Sequence, residues 1–210
     1  LRRPVGANWV GPGAHVVTYP LRGGTLLNFV GVVENDSWRS ETWTDAGTVA
    51  EAQADFHGWH PLIHQMIAAL DQPMRWALVQ RDPLPEWQRG RVALLGDACH
   101  PTLPFLAQGA VMAIEDGYVL ADCLAQQPDA PEAALRRYVA LRHDRTSAIV
   151  NGASANTGRF HNAALKDPAQ AVAYVEREWQ PEKVRQRYDW MFEYDATTAT
   201  AGTPPVLAET

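Results

Sequence analysis

The stretch from Arg91 to Ala110, RVALLGDACHPTLPFLAQGA, constrains the fold more than any other part of the chain. An apolar run, Val92-Ala93-Leu94-Leu95, leads directly into Gly96-Asp97. A proline-punctuated loop follows, then a helix that opens on Gly109-Ala110. A short continuous apolar run bounded by turn residues reads as a strand covered on both faces. A carboxylate at the C-terminal end of such a strand stands where open α/β layers bind ligands. A helix start offers anionic oxygens backbone N–H groups that have no intrahelical partner. Either signal alone is a turn Asp or an ordinary helix start; side by side they point to one large anionic cofactor.

The rest of the chain supplies a mixed frame. HVVTYPL and TLLNFVGVV, separated by a glycine-containing loop, predict a β-hairpin from His15 to Val33, with His15, Val17 and Tyr19 on one face. ENDSWRSETWTDAG reads as a polar connection. Helices are expected over about 48–58 and about 61–70, the second with Pro61 in its first turn. MRWALVQ and RVALL read as strands, and RDPLPEWQRG as the loop between them. In the helix expected over about 107–125, Gly109, Ala113, Gly117 and Ala121 form a stripe of small side chains that predicts a close neighbour, either another backbone or a flat ligand at the stripe's N-terminal end. Glycine inside a helix costs about 1 kcal/mol against Ala, so the stripe needs a packing reason. A long helix from Pro131 to beyond Ile149 and an amphipathic one in EKVRQRYDWMFEYD follow, and ATTATAGTPPVLAET reads as a frayed tail.

Composition narrows the function classes. The 210 residues are 46% hydrophobic and 20% charged, a globular balance. The net charge of −6 argues against nucleic acid, whose phosphates need a basic face. No apolar run is long enough to span a bilayer, so no membrane partner is expected. Two cysteines make no disulfide framework, which favours a reduced, cytoplasmic setting.

GRVALLGDACHPTLPFLAQGAVMAIEDGYVLADCLA resembles the second flavin-binding motif of the single-component FAD-dependent aromatic hydroxylases, in particular the salicylate hydroxylase and 3-hydroxybenzoate 6-hydroxylase group. GPGAHVVTYPLRGGTLLNFV, RFHNA and WMFEYDA resemble the same group, so the likeness covers most of the chain. The resemblance implies an α/β (α+β mixed) fold, the C-terminal part of an FAD/NAD(P)-binding fold with a sheet-based substrate domain. It divides the chain into a substrate-binding sheet and helices over 1–78, the C-terminal part of the FAD-binding domain over 79–155, and a helical extension over 156–210. It implies FAD as cofactor, NADH or NADPH as co-substrate, and a small aromatic acid or phenol hydroxylated through a flavin hydroperoxide. Gly96, Asp97, Gln108, Gly109 and Ala110 would hold the cofactor, with Asp97 toward the ribityl and diphosphate region. Backbone N–H groups of Gly109 and Ala110 would point at the isoalloxazine ring. His15, Tyr19, Pro104 and Phe105 would line the substrate pocket, with His15 and Tyr19 as the acid–base candidates. Some relatives carry Gln or His in the Pro104-Phe105 loop; here an apolar wall stands instead, which weakens transfer of the 3-hydroxybenzoate and hydroxynicotinate substrates.

The chain lacks the family's Gly-x-Gly-x-x-Gly fingerprint. GPGAHV has suggestive glycines but a Pro between them, and it leads into a strand rather than a helix. With Leu1 in place of Met, the expectation is a C-terminal portion of a longer protein. The alternative is a truncated, non-catalytic homologue that does not retain FAD, a dead fragment or an interaction module. Assembly stays open between a monomer and a homodimer. The remaining chemistry-bearing residues take bland readings. Cys99-His100 lacks a third group for nucleophilic catalysis. His57, His60 and His64 have metal-like spacing, but Gly58 and Pro61 interrupt the helix, and no metal site is expected. Glu115-Asp116 reads as capping, pairing with a nearby arginine or facing solvent rather than as a carboxylate dyad.

Overall fold

The computed structural model describes residues 5–35 and 45–201. These fall into two compact units, one of residues 5–35, 45–78 and 158–177, the other of 79–157 with 178–201.

The first unit is built on a three-stranded antiparallel sheet of β1 (Ala7–Gly11), β2 (Ala14–Leu21) and β3 (Leu26–Val33). The expected hairpin is β2–β3, in a register that pairs His15 with Val32 and Tyr19 with Asn28. GPGAHV is the turn of the preceding hairpin: Gly11 pairs with Ala14, and Gly13 takes the positive φ of +69° that the two-residue Pro12-Gly13 turn requires. Alternation turns Ala14 and Val16 inward onto Phe56, Ile63 and Ile67. Those three come from α1 (Val49–Asp55) with its C-cap, and from α2 (Pro61–Ala68). Thr48 starts α1 with a capping box: its hydroxyl accepts from Glu51 N–H, and the Glu51 carboxylate accepts from Thr48 N–H. A Cβ added at Gly31 would lie 2.8 Å from two ring carbons of buried Phe56. Gly31→Ala is therefore expected to cost about 1–3 kcal/mol by overpacking, read as a lower urea midpoint with unchanged m.

The second unit is mainly helical: α3 (Gly109–Gln126), α4 (Pro131–Phe160, through residue 157), α6 (Pro181–Phe192) and α7 (Ala196–Ala199). One core joins Trp87, Cys99, Val119, Cys123, Ala134 and Tyr138; another joins Met112, Ile149, Val150 and Met191. The remaining short elements are β4 (Asp45–Ala46) with β5 (Met74–Arg75), β6 (Gln88–Arg89) with β7 (Val92–Ala93), and α5 (Pro168–Glu178).

Four expectations are corrected. MRWALVQ contributes only Met74–Arg75 to a strand. RVALL contributes only Val92–Ala93, in a two-stranded ribbon, and Val92 is 67% exposed: among the described residues nothing covers it on both faces. The buried face of α3 is Met112, Asp116, Val119 and Cys123 rather than the small stripe, because Asp116 is drawn inward by an ion cluster. Gly96 approaches Ala113 on that stripe, but a Cβ at Gly117 would meet nothing within 4 Å among the described residues. The tail is ordered as far as α7, where Arg137 donates to the buried Thr200 carbonyl at 2.5 Å; residues 202–210 lie outside the described residues, as do 36–44 of the polar connection.

Candidate functional site

Gly96 ends the apolar run with φ +59°, a left-handed conformation that favours glycine, and a Cβ there would sit 3.2 Å from the Ala113 Cβ. Its freedom lets the chain turn at once into the single helical turn Gly96–Ala98. Asp97 is thereby left exposed while Cys99 and His100 are fully buried. Ala107, at φ +53°, aims the chain into α3, strain of about 1–3 kcal/mol that the surrounding packing must hold. At α3 the N-cap residue Gln108 makes no side-chain capping bond. The free N–H groups of the first turn are therefore aimed outward with the positive end of the helix dipole behind them.

Between these two features lies a cavity of about 630 Å³, in the range of small-molecule sites. Gly96, Asp97, Pro104, Gly109, Ala110 and Ala113 are among its lining residues. The structure thus brings together the sequence-predicted residues Gly96, Asp97, Gly109, Ala110 and Pro104. Gln108 is buried behind the helix start and does not line the cavity. Phe105 does not line it either; its carbonyl accepts from Asn156 at 3.2 Å, which anchors the loop to α4.

What holds Gly96–His100 in place was not visible as a motif. Asp116 is fully buried. Its Oδ2 accepts from the Gly96 N–H at 3.0 Å and pairs with His100 Nε2 at 2.6 Å; its Oδ1 accepts from Arg142 Nε at 2.8 Å. Burial alone would raise the Asp116 pKa, but the hydrogen bonds from His100, Arg142 and Gly96 outweigh it and hold the carboxyl below the usual range. Arg142 also donates to Glu115, as does Arg145, so Glu115-Asp116 does pair with arginine. Ligand atoms of Cys99, His100 and Asp116 lie within 4.8 Å of one another, as in a metal site. Both Asp116 oxygens are already engaged, however, and a guanidinium stands where a cation would, so this cluster reads as a clamp. The Cys99 thiol is pushed up to about 12 by burial and by the neighbouring Asp116 and Asp97, which removes it as a nucleophile.

His15 and Tyr19 belong to the other unit. They share a face of β2, with Cα atoms about 13 Å apart along the strand. His15 is 2% exposed and Tyr19 41%. His15 Nδ1 lies 2.7 Å from His161 Nε2, and His161 Nδ1 lies 2.7 Å from Glu34 Oε1. Burial, with His161 adding, lowers the His15 pKa to about 4. His60 caps α2 by accepting from Leu62 N–H, and His64 bonds Gln53; with exposed His57 they do not converge.

An FAD binding domain profile matches residues 12–153, well over half of the chain. The chain belongs to the FAD-binding domain family. It is 36% identical over 189 residues to a 3-amino-4-hydroxybenzoate 2-monooxygenase of Streptomyces platensis, covering 90% of this chain and 46% of that protein. It is 37% identical over 199 residues to the 3-hydroxybenzoate 6-hydroxylase of Polaromonas naphthalenivorans, covering 92% and 48%. A salicylate hydroxylase substrate complex superposes with a TM-score of 0.80 at 27% identity, covering 97% of this chain and 51% of that one. The mixed helix-and-sheet fold is that of the FAD-binding hydroxylases. The chain spans about half the length of the relatives it matches. Among the described residues no helix is long and apolar enough to cross a membrane.

Proposed function

We propose that this chain carries the flavin-ring side of an FAD- and NAD(P)H-dependent hydroxylase of a small aromatic acid or phenol. The observation that carries this reading is the cavity that joins Asp97 to the uncapped start of α3. The residues fit the cofactor: a carboxylate for ribityl hydroxyls, outward N–H groups for the electron-rich edge of a reduced ring, and no side chain beyond Cβ at Gly109 or Ala110 to block a flat ligand. Bound FAD would supply oxygen activation, with electrons from NADH or NADPH. The net reaction converts an aromatic C–H, O2, NAD(P)H and a proton into an aromatic C–OH, NAD(P)+ and water.

The chain's own residues bind, orient and exclude water in this reading. Asp97 holds the ribityl chain, while Gly109 and Ala110 stabilise negative charge on the ring as preorganised donors. Pro104 walls the ring's substrate side, Phe105 holds that loop through the bond its carbonyl accepts from Asn156, and Gln108 shapes the helix start from behind. His15 takes the phenolic proton, and Tyr19 grips the far end of the substrate. The substrate is a small aromatic of the kind the relatives' names specify. The two buried free thiols, Cys99 and Cys123, suit a reduced cytoplasm. Phe192, 72% exposed on α6, is a side chain that a second copy would cover in a homodimer.

NADH and NADPH oxidation by the FAD-loaded full-length protein, with salicylate, 3-hydroxybenzoate and 3-amino-4-hydroxybenzoate, tests the reading. It predicts stimulated oxidation and label from 18O2 in the hydroxylated product. No hydroxylated product from any of them would contradict it. Asp97→Ala is expected to weaken FAD binding about 10- to 100-fold, the loss of about 1.5–3 kcal/mol of charge-assisted hydrogen bonding, read by flavin fluorescence titration.

A further inference from the structure

We infer that Tyr188, on α6, is a positioning residue for the wall of the cavity: through Asn156 on α4 it holds the loop that carries Pro104. That this wall faces an aromatic substrate rests on the reading proposed above.

The loop supplies Thr102, Pro104 and Ala107 to the cavity lining. Within it, the Ala107 N–H donates to the Pro104 carbonyl at 3.1 Å and the Thr102 hydroxyl to the Leu103 carbonyl at 3.2 Å. These bonds shape the loop without locating it on a neighbour. Ala107 adds a left-handed φ of +53°, a conformation that persists only where the surroundings hold it. Contacts with the helices behind the loop do so. The Phe105 carbonyl accepts from Asn156 Nδ2 at 3.2 Å, and Leu106 packs into the core of Met112, Ile149, Val150 and Met191.

Both contacts fall on one stripe of α4 and are backed by α6. Ile149, Gly152 and Asn156 stand at i, i+3 and i+7, so they share a face. Gly152 leaves room for Leu106: a Cβ there would lie 3.2 Å from the Leu106 Cδ1. Glycine weakens a helix interior, and the seat of Leu106 is its packing reason here. From α6, Met191 joins the Leu106 core, and Tyr188, three residues before it, packs against the same core. The Tyr188 O–H donates to Asn156 Oδ1 at 3.2 Å. Asn156 is 1% exposed, and the two ends of its amide have distinct senses. A carbonyl only accepts, so Phe105 takes the Nδ2 side; Oδ1 then faces Tyr188, which donates. Tied at both ends, the amide keeps one plane, and the Phe105 carbonyl keeps its place against α4. The ring of Tyr188 fills the core, while its hydroxyl couples α6 to the cavity wall.

Amide-resolved hydrogen exchange of the full-length protein tests this with neither cofactor nor substrate. Tyr188→Phe removes only the hydroxyl, and Asn156→Ala removes the whole amide. The reporter is the Ala107 N–H. The reference is the Met112 N–H, which donates to the Gln108 carbonyl at 2.8 Å in the first turn of α3. In Tyr188→Phe, Ala107 exchange is expected to quicken about 2- to 10-fold, the worth of one neutral hydrogen bond, with Met112 changed less. Asn156→Ala should quicken it at least as much. Unchanged Ala107 exchange in Tyr188→Phe would overturn the inference, and so would equal acceleration at both amides, the mark of a general loss of stability. In the FAD-loaded protein, Tyr188→Phe should raise KM for the aromatic substrate about 3-fold and leave KM for the nicotinamide co-substrate unchanged. If the hydroxylase reading alone fails, the Ala107 result stands while no aromatic stimulates NADH oxidation.

Discussion

Asp116→Asn is expected to lower stability by about 3–5 kcal/mol, the largest loss of any single substitution considered for this chain. The substitution keeps the shape of the side chain and removes its charge. Arg142 and His100, both fully buried, then lose the anion that each contacts. Three donors, the Gly96 N–H, His100 Nε2 and Arg142 Nε, converge on two oxygens. With Asn only one oxygen remains, and the amide nitrogen faces a donor instead. Arg142 keeps the Glu115 carboxylate at 2.7 Å, but a buried donor left facing the Asn amide nitrogen in place of an anion costs more than losing an average hydrogen bond, which is why the estimate exceeds about 1 kcal/mol. Urea unfolding followed by tryptophan fluorescence measures it, since Trp87 packs 5.2 Å from His100. A loss below about 1 kcal/mol would mean that the cluster is not the clamp described. The same substitution frees the Gly96–Ala98 turn, so Asp97 should lose its fixed position and FAD its affinity.

Acid is expected to destabilise the chain well above the carboxylate range, by about 3 kcal/mol between pH 6.5 and 4. His15 titrates near 6.5 when unfolded and at about 4 when folded. Within that window the unfolded chain binds a proton that the folded chain does not, so stability falls as pH falls. The groups that set the shift are local: burial first, then His161, which in turn faces Glu34. Below about pH 4 Asp116 continues the trend. Its folded pKa is depressed, so its contribution is complete above the unfolded value and is lost as pH falls through the folded one. Urea midpoints taken across pH 4 to 7.5 should slope for the unsubstituted chain and flatten in His15→Gln. A flat profile for both would remove His15 from the set of buried neutral histidines.

How much of this could be read from the residues divides along one line, local against distant. The β2–β3 hairpin, the capping box at Thr48 and the long helices follow from alternation, spacing and end signals within a few residues. The Gly96-Asp97 turn and the Gly109-Ala110 helix start were legible for the same reason, and the cavity between them joins two short motifs. The run Val92–Leu95 was misjudged because cover on a strand is supplied by other segments: Val92–Ala93 pair with Arg89 and Gln88 in a two-stranded ribbon, and the Leu94 N–H donates to the adjacent Trp87 carbonyl. The face of α3 was misjudged because small side chains promise close approach, while the decisive inward residue is a carboxylate whose partner, Arg142, lies 26 residues away. His161 and Glu34 left no signal around His15, since the His15–His161 contact spans 146 residues. Such pairs are set by topology, and only a structure reveals them.

The most direct measurement is the structure of the full-length protein with FAD bound. The account predicts the flavin ring in the cavity bounded by Gly96, Pro104 and Ala110, with the ring edge within hydrogen-bond distance of the Ala110 N–H and the ribityl chain against Asp97. A flavin bound elsewhere, with that cavity left to solvent, would contradict it.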